Sequence, residues 1–435
     1  MKKIIFPFIT LLAITLTSCD KPQEKSITTI KLSNPTDFDL KQKAVGLALD
    51  ELPKQTSSSK HPLLLIEGDT LASQLSDSNK DGRNDELFFV IDIVANASKN
   101  IQFKWVEKQP QYETKTSIRF GKRDSKDQPV KPATSETLSA TDMPKALGFQ
   151  KYQTDGPTWE NDKVAFRHYL DGRNAIDVYG KKIAAISPEN VGLDSAKAVV
   201  DNYHTMEDWG RDVFPVGNSA GLGGFGVIAN GKIQRLGILV TDTLNNIEKT
   251  SFKILEEGPV KSSMEYSYTN WNTEENTYQA KEITTIWPGM YAFQNTVAVN
   301  GLAPQDTLAI GLSNINNKKG VEELKTEKWT ALIQHDSLTY DRTWVMGTAI
   351  ILPSEKYTSY SEAPDTGKFM QSYLAKVNVK NDESITYYGV SGWELSQEKR
   401  FKNVAFFKQY VTDLANTLYT ELDISINTEN QKISE

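Results

Sequence analysis

Between His204 and Asp212 the chain gathers an imidazole, carboxylates (Asp208 and Asp212 among them), a guanidinium (Arg211) and the flat ring of Trp209 within nine positions. Each type has its own use. An imidazole exchanges protons near neutral pH, a carboxylate fixes which ring nitrogen carries the proton, and a guanidinium holds a carboxylate through two parallel hydrogen bonds. An indole offers an apolar face to a sugar ring. Together they suit a sugar acid. A second dense run, FRHYLDGRNAIDVYGKK from Phe166 to Lys182, contributes His168, Tyr169, Asp171, Arg173 and Asp177. Read as a strand, it turns Arg167, Tyr169 and Asp171 to one side and Phe166, His168 and Leu170 to the other, so only one set can line a cleft. A solvated edge strand with a half-buried His168 fits the same pattern. Of the four histidines, His61 and His335 lack such neighbours and read as structural or surface residues.

Just downstream, Gly221, Gly223 and Gly226 match G-x-G-x-x-G. A dinucleotide fingerprint needs a helix after the glycines to meet the pyrophosphate. Here the next residues, VIANGKIQRLGILV, carry Asn230-Gly231, a favoured hairpin turn, so the glycines belong between strands. No Gly-Lys-Ser or Gly-Lys-Thr supplies a P-loop. A third run, DSNKDGRNDEL, sets Asp77, Asn79, Asp81, Gly82 and Asp85 at positions one, three, five, six and nine of a calcium loop, but position twelve is Phe88. A partial calcium loop and a plain Asp-Gly turn both fit, and the missing twelfth ligand favours the turn.

The elements that must position these residues are strands. Short alternating runs such as ELFFVIDIV, KNIQFKWV and EITTIWPGMYAFQNTVAV are separated by Asn-Gly, Asp-Gly and Pro-Gly signals. They predict an all-β chain of antiparallel β-sandwiches: a small one over 27–108, a linker or long loop over 109–144, and a larger catalytic one over 145–435. One helix is expected near the end, where Phe401, Val404, Phe407, Val411, Leu414 and Leu418 keep three-to-four spacing. With 435 residues, 38% hydrophobic and 24% charged, the chain has ample core material. Its formal charge of −7 and lack of a basic stripe exclude a phosphate-tracking surface, so no nucleic-acid partner is expected.

The first residues read as an address. Lys2 and Lys3 precede an apolar run that ends in LTSC, a bacterial lipobox pattern. Residues 1–18 are then a signal peptide, Cys19 the lipidated residue and 19–26 a tether. That places the chain on the periplasmic side or the outer membrane, touching the membrane through its lipid alone. Cys19 is the only cysteine, which leaves no disulfide and no thiolate metal site.

The lipobox, the D-x-N-x-D-G-x-x-D-E-L-x-F hairpin from Asp77, the Phe166–Lys181 run, and Y-H-x-x-x-x-W-G-R-D-V with V-G-N-S-x-G-x-G-G (Tyr203–Gly224) resemble one family. It is the family catalogued as domain of unknown function 4861, lipoproteins and secreted proteins of Bacteroidota polysaccharide-utilisation loci. Glu256–Tyr268 and Tyr387–Ser396 are similar to its later motifs. The resemblance implies a galactose mutarotase-like larger domain. It also implies an activity known in the family from ulvan degradation: removal of water from a non-reducing-end uronic acid to leave a 4,5-unsaturated sugar. The partner would be an acidic oligosaccharide, and the chemistry needs no cofactor or metal.

Such a dehydration needs a base for the C5 proton, an acid for the 4-hydroxyl, and a cation on the carboxylate. His168 or His204 fits base or acid, Tyr169 fits acid, and Arg211 or Arg173 fits the carboxylate. Asp208 would orient a histidine, while Trp209 and Trp393 would stack on the sugar. Two other classes stay open at this level: a lyase or hydrolase drawing carboxyls from Asp171, Asp177, Asp208 and Asp212, and a non-catalytic carbohydrate-binding lipoprotein.

Overall fold

A computed structural model describes residues 25–431, apart from 56, 58 and 145–147. The leader, Cys19 and most of the expected tether lie outside the described residues, and Lys25 already begins a strand. Every ladder between named strands is antiparallel; the parallel contact is an isolated bridge from Ile176 to Gly221. The α-helical element is α1 (Val404–Tyr419).

Two sheets form the smaller unit. One runs in the order Asp423–Gln431, Lys25–Ser33, Ser98–Val106, His61–Ile66, Asp69–Leu71, and the other Leu40–Ala48, Glu86–Ile93, Ser73–Ser76. Alternation explains their packing: Ile30, Leu32, Val45, Leu47, Leu87, Phe89, Ile101 and Phe103 point inward and are buried together. Among the described residues the last strand pairs with the first along its whole length, Ser33 opposite Asp423 and Ile30 opposite Ile426.

The larger unit is built on a nine-stranded sheet. Of its central strands, Ile385–Trp393 and Met346–Pro353 are buried almost throughout, while Ala292–Asn300 alternates buried and half-buried residues. One cover is α1, capped by the Asn403 side chain on Phe406 N at 3.1 Å. Its Phe407 ring fills the space that a side chain at Gly347 would take. Phe401, Phe407, Val411 and Leu414 are buried as the spacing predicts, while Val404 is exposed. The other cover consists of two five-stranded sheets, one of which carries the site.

The 109–144 segment, expected as a linker or loop, contains strands that join these sheets. Thr116–Arg119 pairs with Thr158–Asn161, and Ser135–Ser139 with Ile247–Glu256. Ser135–Ser139 lies on the sheet's edge and buries only Leu138, so its sequence reads as polar loop.

The glycine run falls in the Leu222–Ala229 strand, and Asn230-Gly231 closes the two-residue hairpin to Lys232–Arg235 with both residues left-handed. Gly221 (φ +67°) and Gly231 (φ +76°) share that conformation, but only at Gly221 would a Cβ strike backbone, 2.0 Å from the Ile176 carbonyl oxygen. Gly221→Ala is therefore expected to lower the denaturation midpoint well beyond Gly231→Ala. Equal midpoints would show that the strand crossing at Ile176 tolerates displacement.

Candidate functional site

The site sheet runs Gly210–Asp212, Ile176–Lys181, Ala165–His168, Thr158–Asn161, Thr116–Arg119. Register divides its two faces. Ile118, Trp159, Phe166 and Val178 stand opposite one another and enter the core. On the other face Thr158 opposes Arg167, Arg167 opposes Asp177, and Tyr179 opposes Asp212. A polar sheet face of this kind normally meets water, but here residues 183–209 cross over it as a strap. Val191, Tyr203 and Trp209 of the strap pack on Ala165 and Tyr179. Glu160 pins the strap further, accepting from Lys181 Nζ at 2.5 Å and from the Ser187 amide at 2.8 Å.

Under the strap lies a charged centre. Arg167 is fully buried and donates through Nη2 to Asp212 at 2.9 Å, and also to Asp177 and the Tyr169 hydroxyl. Tyr169 in turn donates to Asp177 at 2.9 Å. The guanidinium lies over three rings, Tyr169, Tyr179 and Tyr203, at 4.2, 5.2 and 5.4 Å. Two buried carboxylates thus share one cation. Burial and then the neighbouring Asp177 push the Asp212 carboxyl well above the usual carboxylate range, against the pull of Arg167. Its Oδ1 has no partner among the described residues, which leaves room for a proton there.

His204 connects this centre to solvent. Its Nδ1 lies 3.5 Å from Asp212 Oδ2, and its side chain is 44% exposed. Burial and then the Arg167 charge lower its pKa from the ordinary histidine value. A neutral ring with Nδ1–H toward Asp212 keeps a lone pair on Nε2, as a general base requires. Tyr340 stands across from it, ring centroids 6.2 Å apart and 43% exposed. Burial, reinforced by Asp212 and Asp177, raises its phenol pKa, so Tyr340 keeps its proton. Strand alternation sends Arg211 to the opposite face from Asp212, its guanidinium 5.4 Å over the Trp344 ring and 4.0 Å from Asp341.

The expected residues divide accordingly. Tyr169, Arg173 and His204 gather around Arg167, with Arg173 over the other face of the Tyr169 ring at 3.7 Å and paired with Asp171 at 2.7 Å. Arg211 adjoins them through its neighbour Asp212. His168 is elsewhere: it points into the core, stacks on Tyr266 at 4.2 Å and faces Glu282 at 3.5 Å. The alternation of its strand puts it there, opposite Arg167. Trp393 is buried against Gly180, and Trp209 at the end of the strap is buried against Tyr179, so neither offers a face to a sugar. Asp208 is exposed, and the carboxylate at His204 is Asp212. Sequence reasoning missed Arg167 and Tyr340 as site residues, and it set Asp212 in the cluster but gave the histidine-orienting role to Asp208. A signal existed for the first, since strand alternation grouped Arg167 with Tyr169.

The Asp77–Leu87 loop lies apart from this centre. Asp77 accepts from the amides of Asp81 and Gly82 at 3.1 and 2.8 Å, and Asp85 accepts from Ser78 at 2.7 Å, the pattern of a side-chain-stabilised turn.

The architecture and the centre define an all-β protein of antiparallel sheets with an arginine-carboxylate cluster sealed beneath a strap. The chain belongs to the family Domain of unknown function (DUF4861), whose model matches residues 32–424. It is 24% identical to Uncharacterized protein P7 of Formosa agariphila over 98% of this chain and all of that one. Among solved structures, an α-mannosidase from Enterococcus faecalis aligns over 93% of this chain at 10% identity and a TM-score of 0.47. A Klebsiella pneumoniae protein assigned as an aldose 1-epimerase aligns over 60% of this chain and 83% of its own, at 8% identity and a TM-score of 0.30. This chain spans 46% of the mannosidase's length.

Proposed function

We propose that this protein is a carbohydrate-active enzyme that removes water from the non-reducing-end uronic acid of an acidic oligosaccharide, working from a lipid anchor at Cys19 on the periplasmic side or outer membrane. The observation that carries this reading is the half-exposed His204, neutral and held against buried Asp212. In the reaction His204 Nε2 takes the C5 proton, and the C5–H electron pair forms the C4–C5 double bond. The C4–O bond breaks, and Tyr340 gives its proton to the departing oxygen, which leaves as water. Arg211 neutralises the sugar carboxylate, lowering the C5–H pKa and stabilising the enolate-like transition state. Tyr169 is an unsuitable acid because its hydroxyl is already committed to Asp177.

A hydrolase reading is disfavoured by the same geometry. Asp177 and Asp212 are fully buried beside one arginine, Asp171 is paired with Arg173, and Asp208 stands alone on the surface. These do not form two carboxyls flanking a glycosidic bond.

Uronate-terminated oligosaccharides test the proposal by product mass together with absorbance of a conjugated unsaturated uronate. Loss of one water with new absorbance is the expected result; chain cleavage, with or without absorbance, would replace dehydration with lyase or hydrolase chemistry. Tyr340→Phe keeps the ring and removes the proton, so turnover is expected to fall about 100-fold. A rate within a few-fold of wild type would take the acid role from Tyr340.

A further inference from the structure

Three sequence motifs outside the His204 site meet at one place. The Asp77 hairpin, the Glu256–Tyr268 run and the Tyr387–Ser396 run all reach a cavity of about 440 Å³, on the face of the nine-stranded sheet turned away from the strap. Its floor is a cross-strand row: Thr285 opposes Gln294, Gln294 opposes Tyr388, and the Gln294 amide donates to the Tyr388 hydroxyl at 3.1 Å. Lys43 from the smaller unit, Lys80 from the Asp77 hairpin and Lys261 line the walls.

We propose that this cleft is a second binding site, for an acidic oligosaccharide, in which Lys43, Lys80 and Lys261 meet carboxylate or sulfate groups above the Thr285, Gln294 and Tyr388 floor. The ligand's sugar identity rests on the carbohydrate reading above; its charge rests on the cleft alone. Three ammonium groups converge here in a chain whose net charge is −7. Lys261 is already answered by Glu86 at 3.0 Å and Glu256 at 3.8 Å. Lys43 and Lys80 touch only carbonyl oxygens, Lys43 those of Thr417 at 2.9 Å and Leu418 at 3.4 Å, and Lys80 that of Asp77 at 2.9 Å. Neither forms an ion pair among the described residues, so two partly desolvated cations await an anion. Burial lowers Lys43 to about 8, outweighing the smaller opposing pull of the Glu421 carboxylate.

The backbone is bent to deliver them. A bulge interrupts the ladder between Leu40 and Lys43, with Gln42 left-handed at φ 51°, and Lys80 is left-handed at φ 66°. Non-glycine residues hold that conformation at a cost, and bulges re-aim side chains beside binding sites. The calcium-like loop thereby acquires a role: its aspartates fold the turn that presents Lys80. The volume lies within the ~300–1,000 Å³ typical of small-molecule sites.

Hydrogen exchange read by mass spectrometry tests this without turnover, using tetragalacturonate, a heparin-derived tetrasaccharide and neutral cellotetraose. The acidic probes are expected to protect peptides covering Leu40–Ala48 and Asp77–Glu86, and cellotetraose is not; because the heparin fragment carries both carboxylates and sulfates, tighter binding of it would show that sulfate adds to the carboxylate contacts. The Lys43→Gln, Lys80→Gln double variant, with unchanged exchange in the probe-free protein, is expected to weaken that binding about tenfold or more. Protection confined to Asn202–Asp212, equal binding by the double variant, or no binding of either acidic probe below millimolar concentration would overturn the proposal. Cleft protection without any water loss from oligosaccharides would instead refute the dehydratase reading and leave this one standing.

Discussion

Replacing Arg167 with Met is expected to destabilise the protein by about 3–5 kcal/mol, the usual cost of stripping one partner from a buried ion pair. Met fills much of the same volume but leaves Asp177 and Asp212, both buried, facing each other without a cation. The loss comes from stranded charge more than from missing contacts, so chemical denaturation of the triple variant Arg167→Met, Asp177→Asn, Asp212→Asn should recover a large part of it. A single variant within about 1 kcal/mol of wild type would mean that the centre relaxes or hydrates freely, and that the strap does not seal it.

His204→Ala is expected to behave in the opposite way, leaving stability nearly intact because the ring is half exposed, while lowering kcat/KM on a uronate-terminated oligosaccharide about 1,000-fold. The pH profile adds a sign. Burial and the Arg167 charge depress the imidazole pKa, so the active free base persists as pH falls. kcat/KM should therefore rise with pH through a limb below the ordinary histidine value near 6.5 and stay level above it. A limb above that value, or a His204→Ala enzyme within a few-fold of wild type, would remove His204 as the base.

Much of this was legible in the sequence, and the boundary follows the range of the interactions. Period-two alternation and turn chemistry are local, so the strands, the Asn230-Gly231 hairpin and the separation of His168 from Arg167 could be read directly. Tyr340 could not, because only tertiary folding brings the 337–345 loop to the Gly210–Asp212 strand, where the Tyr340 amide donates to Val213 at 3.2 Å. The choice between Asp208 and Asp212 depended on which carboxylate the strap would cover. Trp209 and Trp393 illustrate a different limit, since an indole suited to stacking on a sugar suits a core equally well.

The clasp between the chain's ends has a consequence for how the molecule is made. Thr28 and Thr428 hydroxyls meet at 3.0 Å across 400 positions, within the same sheet. The first strand to emerge during synthesis must therefore wait for almost the last, with one side of Lys25–Ser33 unpaired until then. A nascent chain leaves that strand edge open to pairing errors until Asp423–Gln431 has been made, and trimming Asp423–Gln431 would make that exposure permanent.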